Sequence, residues 1–216
     1  QPPSPLLGEL RNLTRYYVQL QEQKTAINNI AASKQDAHQV QAFITSSSKT
    51  LVSQVDRQIE RCKQQIEQLI ASDQVLSDRV DQLASIKGVG RLTVAIILAE
   101  TRMFEGIVNV RQVASYAGYD VVERESGTSV KGKTRISKKG NRYIRNALYF
   151  PAMVACRFNP DLKEFYQRVI QNKPSKMVGQ VAVQRKLLVL MYSMYKNGTR
   201  YQQGYNKVAP TYVAEA

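Results

Sequence analysis

Leu83 to Glu100 reads LASIKGVGRLTVAIILAE, and its two glycines divide a helix end from a new helix that starts near Leu92. A tight Gly-x-Gly turn at Gly88 and Gly90 exposes successive backbone N–H groups beside a helix N-terminus, a geometry that suits a phosphate oxygen. The order helix, glycine turn, helix is a helix-hairpin-helix signature. An ordinary glycine-containing turn would look similar, but Lys87 and Arg91 flank the glycines and favour phosphate contact. Contacts of this kind position a nucleic acid without reading its sequence.

Upstream, apolar residues fall at Leu6, Leu10, Leu13, Tyr17, Leu20, Ile27 and Ile30, close to the alternating four-three step of a helical seam. This predicts a first helix from about Pro5 to Ser33. After a polar stretch containing His38, TSSSKT at Thr45 to Thr50 offers hydroxyl N-caps for a second helix. That helix carries Leu51, Val55, Ile59, Cys62, Ile66 and Leu69. Two seams joined by a loop predict an antiparallel coiled-coil arm, with packing inside a globular helical domain as the plainer reading.

Downstream, RQVASYAG, 111–118, predicts a short helix ending at Gly118. In YDVVERESGTSVKGKTRIS, 119–137, β-branched residues alternate with polar ones around glycines, which fits a β-hairpin or an ordered loop. A long helix then opens near Ser137 or Gly140, with a kink expected at Pro151. Asn159 and Pro160 restart a helix to about Gln171. A last apolar helix runs from about Lys176 to Lys196 and ends at Asn197 and Gly198. The tail from about Thr199 reads as weakly ordered.

The chain has 216 residues, 43% of them hydrophobic, enough for a substantial core. Its formal charge of +14, from 31 Lys and Arg against 17 Asp and Glu, points to a polyanionic partner. No run reaches the roughly 18 apolar residues of a membrane span, and the first residues lack the layout of a secretion signal. A cytosolic location follows as the expectation. The absence of an initiator Met suggests a fragment whose N-terminal part was removed. Cys62 and Cys156, with a single His in the chain, make no credible zinc site and read as reduced core thiols.

Between Arg124 and Arg145 stand Arg124, Lys131, Lys133, Arg135, Lys138, Lys139, Arg142 and Arg145 against one acid, Glu125. Half of the net charge therefore sits in about a tenth of the chain. A solvated basic loop without a partner is the bland alternative. Among the hydroxyls, Ser126 precedes Gly127, which permits close backbone approach. A serine becomes a useful nucleophile when a base, a metal or a dense set of cations stabilises its oxyanion. By physics alone Ser126, Thr128, Ser129 and Ser137 stay equivalent. Asp120, Glu123 and Glu125 show no metal-ligand arrangement and read as partners in local salt bridges.

Three stretches, IKGVGRLTVAIILAE (86–100), RQVASYAG through NALYFPAMVA (111–155) and FYQRVIQNKPSKMVGQVAVQRKLLVLMYSMYKNG (165–198), closely resemble the C-terminal transposase domain of the bridge-RNA-guided insertion-sequence recombinases. That family includes the pilin-gene invertases. The Gly-x-Gly hairpin, the YAG, the ESG and the SKKGN block occur in the family's order, and the preceding coiled coil resembles its linking region. The resemblance implies that Ser126, the serine of ESG, attacks a DNA phosphate and becomes covalently attached. It also implies an N-terminal acidic RuvC-like domain that binds divalent metal, such as Mg2+, and that this chain does not contain. Implied partners are DNA at donor and target sites, a guide RNA, and further copies in a homodimer or tetramer. The implied setting is the bacterial cytoplasm at the nucleoid.

The resulting expectation is a mainly α fold: a coiled-coil and oligomerisation region over 1–84, a helical DNA-binding and catalytic domain over 85–200 with a helix-hairpin-helix-like turn and a small β-hairpin or loop, and a weakly ordered tail over 201–216. By the resemblance, Ser126 is expected to be the nucleophile of site-specific strand exchange. Lys87, Gly88, Gly90, Arg91, Arg124, Lys131, Lys133, Arg135, Lys138, Lys139, Arg142 and Arg145 form the DNA-binding set, and no metal or cofactor is expected on this chain itself. As an isolated piece it is expected to be inactive. The alternative is a non-catalytic DNA- or RNA-binding and dimerisation module.

Overall fold

The computed structural model describes residues 5–32, 38–122, 125–126, 130–131, 135–171 and 175–204, with residues 38–41, 122, 125–126, 130–131 and 135 described by their backbone alone. In chain order these form α1 (Pro5–Ala32), α2 (His38–Ala71), α3 (Gln74–Ala84), α4 (Arg91–Thr101), α5 (Val110–Tyr116), β1 (Val121–Val122), β2 (Glu125–Ser126), β3 (Val130–Lys131), β4 (Arg135–Ile136), α6 (Arg142–Phe158), α7 (Pro160–Ile170) and α8 (Lys176–Asn197). The fold is mainly α, as the periodicity predicts. Among the described residues no helix is long and apolar enough to cross a membrane. The chain divides into two compact units, 1–77 with 95–103 and 78–94 with 104–216.

In the first unit α1 packs along α2. Cys62 approaches the Leu13 carbonyl at 3.4 Å and Lys24 pairs with Asp56 at 2.6 Å. Contacts that advance along α1 while retreating along α2 make the pair antiparallel. The predicted seam closes at Leu10, Leu20, Ile59, Cys62 and Ile66, all buried, whereas Ile30 and Leu51 are exposed. TSSSKT does not cap α2, which begins at His38 and runs straight through it. There the Thr50 hydroxyl bonds back to the Ser46 carbonyl at 3.2 Å, the internal bond that lets hydroxyl residues sit inside a helix.

A break at Ser72 and Asp73, not foreseen from the seam, sets α3 apart. The Asp73 carboxylate accepts from the Leu76 N–H at 2.8 Å, which caps the new helix. Within the first unit Glu100, fully buried, takes both Nε and Nη2 of Arg15 at 2.7 and 3.0 Å, and Arg11 Nε stands 3.5 Å away. A buried carboxylate requires this pairing. Both cysteines are free thiols, and burial is the main cause that raises their pKa values.

In the second unit α8 packs against α5, α6 and α7, with Val183, Leu187, Leu188 and Met191 fully buried. Asn159 caps α7 by accepting from the Leu162 N–H at 3.3 Å, and Gly198 ends α8 in the left-handed conformation at φ 67°. The N-cap and glycine stop are where the sequence places them. The helix α6 runs through Pro151 as a single element. Residues 199–204 are tied down: Tyr201 donates to Asn159 and Asp161 at 3.0 Å, and the Gly204 N–H reaches Asp161 at 2.8 Å. The rest of the tail, 205–216, lies outside the described residues.

Candidate nucleic-acid interface

The basic stretch leaves the helical body at Gly118 and returns at Gly140. A Cβ on Gly118 would sit 2.6 Å from the Gly140 nitrogen, and one on Gly140 would collide with the Gly118 nitrogen and the Tyr116 carbonyl. Only glycine at both positions lets the two backbones touch, and Gly118 also needs its φ of 74°. Across this neck Asn141 N–H donates to Tyr116 O at 2.8 Å, Lys138 N–H to Gly118 O at 3.2 Å, and Ser137 N–H to Asp120 O at 2.8 Å.

Side chains brace the same crossing. Arg145 Nη1 donates to the carbonyls of Ala117 and Gly140 at 2.7 and 2.9 Å. The Asp120 carboxylate accepts from the hydroxyls of Ser115 at 3.2 Å and Ser137 at 3.3 Å. Asn141 caps α6 through the N–H groups of Tyr143 and Ile144. Tyr119, buried beneath the neck, donates its hydroxyl to Gln184 on α8 at 3.0 Å. Burial drives its pKa far above the usual tyrosine value, against a smaller opposing pull from the Arg145 charge.

Beyond the neck the backbone forms two antiparallel pairs, Val121 with Ile136 and Val122 with Arg135, then Glu125 with Lys131 and Ser126 with Val130. Three residues, 132–134, separate the two strands of the returning arm, but only 123–124 separate those of the outgoing arm. Ser126 holds the last paired position of the inner strands, directly before residues 127–129. The hairpin reading of the sequence is therefore matched in the backbone. Arg124, Lys133, Glu123, Thr128 and Ser129 lie outside the described residues, as do the side chains of Ser126, Lys131 and Arg135.

The remaining candidates divide into two groups. Lys87, Lys138, Lys139 and Arg142 are exposed, with the Arg142 guanidinium 5.1 Å from the Tyr143 ring centre. Arg91 is engaged by Asp81 and Arg145 by backbone carbonyls. Gly88, at φ 99°, lies against Val154 and Ala155 of α6, whose nitrogen would stand 3.2 Å from a Cβ there. The glycine turn and the hairpin neck thus meet the same helix at Ala155 and Asn141, about 20 Å apart at 1.5 Å per residue.

Among the described residues Asp120 pairs with two serine hydroxyls and with no cation, while the side chains of Glu123 and Glu125 lie outside them. No group of three His, Cys, Asp or Glu side chains that could hold a metal ion occurs among the described residues. Sequence reasoning missed the bracing role of Arg145 and the Tyr119 anchor. The YAG and KKG glycines were the available signal, since each marks a backbone that something must approach.

Residues 80–167 match the family model described as "Transposase IS116/IS110/IS902 family". That stretch contains the glycine turn, the neck, the hairpin and α6. The chain is similar to the pilin gene-inverting protein of Moraxella bovis, 29% identical over 147 residues, which are 67% of this chain and 45% of the relative. A second pilin gene-inverting protein, from Moraxella lacunata, matches over the same shares. An uncharacterized protein of insertion element IS110 from Streptomyces coelicolor is 26% identical over 120 residues, 56% of this chain and 29% of the relative. The matched region spans less than half the length of each of these relatives.

Proposed function

We propose that this chain is the DNA-holding and strand-transferring portion of a transposase or site-specific recombinase, with Ser126 as its nucleophile. The observation that supports this best is the braced hairpin: a neck closed by Gly118, Gly140 and Arg145 carries Ser126 outward to the end of its paired strands. Such a platform fixes the approach of a hydroxyl to a phosphate. The likeness to a transposase family model over 80–167 supports the reaction class.

In the proposed step Ser126 Oγ attacks the scissile phosphorus and its proton passes to solvent. A new P–O bond forms to Ser126 while the bond to the leaving DNA oxygen breaks, and that oxygen takes up a proton from solvent and leaves as a DNA hydroxyl. The phosphoserine ester keeps the bond energy, so a DNA hydroxyl reverses the attack and rejoins strands without ATP. Lys138, Lys139 and Arg142, at the neck, supply positive charge to the DNA backbone that flanks the reacting phosphate, and Lys131, on the strand paired with that of Ser126, supplies it beside the transferring phosphoryl group. Lys87 and the turn at Gly88 and Gly90 hold the duplex backbone. Arg91 and Arg145 act through shape, bracing the elements that carry these contacts.

We assign as partners a DNA duplex bearing the recombination site and further copies of the chain. A Mg2+-binding acidic domain and a guide RNA are carried over from the family that the sequence resembles. The test is strand exchange with that acidic domain supplied. Ser126→Ala retains duplex binding within about two-fold, because Ser126 carries no charge toward the phosphates, and loses strand exchange. If Ser126→Ala exchanges strands as the parent does, the chain is a docking module.

A further inference from the structure

One face of α6 is left uncovered although its side chains are large and apolar. Phe150, Val154 and Phe158, spaced four residues apart and so aligned on one side of the helix, are 70, 40 and 59% exposed. Tyr149, 36% exposed, meets Phe150 edge-on with ring centres 5.3 Å apart. Aromatic rings kept in water at this density mark an interaction surface. The other long side chains on this exposed face are cationic, Arg142 toward its start and Arg157 beside Phe158.

The surroundings decide what covers it. The stripe starts about 13 Å along α6 from the hairpin neck at Asn141 and passes the glycine turn at its middle, where Val154 lies against Gly88. Neck and turn are both places where the proposed function puts DNA phosphates, so the occupant is a polyanion. A duplex offers only its charged backbone and groove edges to such a surface, whereas an unpaired strand offers flat base faces that stack on Phe and Tyr. From Phe150 to Phe158 is about 12 Å, the length of three to four stacked nucleotides at about 3.4 Å each.

We propose that the Phe150–Val154–Phe158 face of α6 binds three to four unpaired bases of a DNA strand that continues from the duplex held at the glycine turn. This rests on the reading of the chain as a DNA recombinase. It adds that the preferred substrate is a partly opened duplex, the form a strand must take to change partners.

The test is fluorescence anisotropy of the full chain with a duplex that is blunt, carries a four-thymine overhang, or carries an abasic overhang of equal length. We expect the thymine overhang to bind at least about five-fold tighter than the abasic one, the lower end of what one stacked base contributes. Phe150→Leu with Phe158→Leu keeps the face apolar but removes its rings. It should abolish that gain while leaving blunt-duplex affinity, its salt dependence and the thermal midpoint unchanged.

Equal binding of thymine and abasic overhangs, or a gain that survives the leucine pair, overturns the proposal. So does a uridine RNA overhang that binds more tightly than DNA through the same rings, or a self-association lost in the leucine pair while overhang binding is unchanged. A chain that binds no duplex at all at low salt instead removes the recombinase reading from which the proposal starts.

Discussion

Arg142 and Arg145 stand three positions apart in the same basic stretch, and in sequence nothing separates them. In the structure Arg142 is exposed and stacked near Tyr143, while Arg145 turns inward to two carbonyls of the neck. Clustering of charge was therefore legible and the role of each cation was not, because one guanidinium serves a phosphate or a peptide carbonyl equally well. Tyr119 was equally unreadable, since its hydroxyl partner Gln184 is 65 positions away. Its raised pKa has a consequence for stability. The folded chain keeps the phenol neutral while the unfolded chain ionises at about pH 10, so this contribution is intact below that pH and is lost as pH rises above it. Urea titrations at successive pH values should show stability falling above about pH 10, with a shallower fall in Tyr119→Phe. Tyr201, also raised mainly by burial, should keep the remaining slope from vanishing.

Elements closed by local chemistry were the legible ones. Asn159 with Pro160 opens α7 and Gly198 closes α8 where the sequence predicts, because caps act on the next few residues only. The start of α2 was misread, since packing along α1 carries the helix through hydroxyl residues that would otherwise favour a cap. The hairpin was expected from its glycines and β-branched residues. The element-level feature hidden from sequence was the contact of Gly118 with Gly140, two glycines 22 positions apart that have meaning only together. Gly140→Ala should accordingly open the neck. We expect a loss of about 2 kcal/mol in chemical denaturation, within the range for overpacking a close contact. Faster proteolysis within 119–139 than at other sites should accompany it. An unchanged cleavage pattern would mean that the neck does not hold the hairpin.

For the molecule as a whole, chain order and compact units do not coincide, because residues 95–103 belong with the N-terminal helices. Apolar periodicity could not show this. A seam identifies the faces that are buried, not the segment that returns from later in the chain to bury them. The fixing contact is Glu100 between Arg11 and Arg15. Removing one member of a buried ion pair is costly, here tempered because both arginines keep about a third of their surface in water. Glu100→Gln should lower stability by about 2 kcal/mol in denaturant titration, and a change below about 0.5 kcal/mol, the ordinary surface range, would show the pair to be incidental.

The proposed chemistry rests on Ser126, and trapping the DNA-bound protein tests it directly. The chain, joined to a Mg2+-binding acidic domain, would be incubated with a nicked duplex carrying the recombination site, and covalent products would be separated by denaturing gel and mapped by peptide mass spectrometry. We expect a DNA adduct on the peptide that contains Ser126, absent in Ser126→Ala. A protein that binds this DNA yet is never attached to it, or an adduct mapped to another residue, would contradict the assignment of Ser126 as nucleophile.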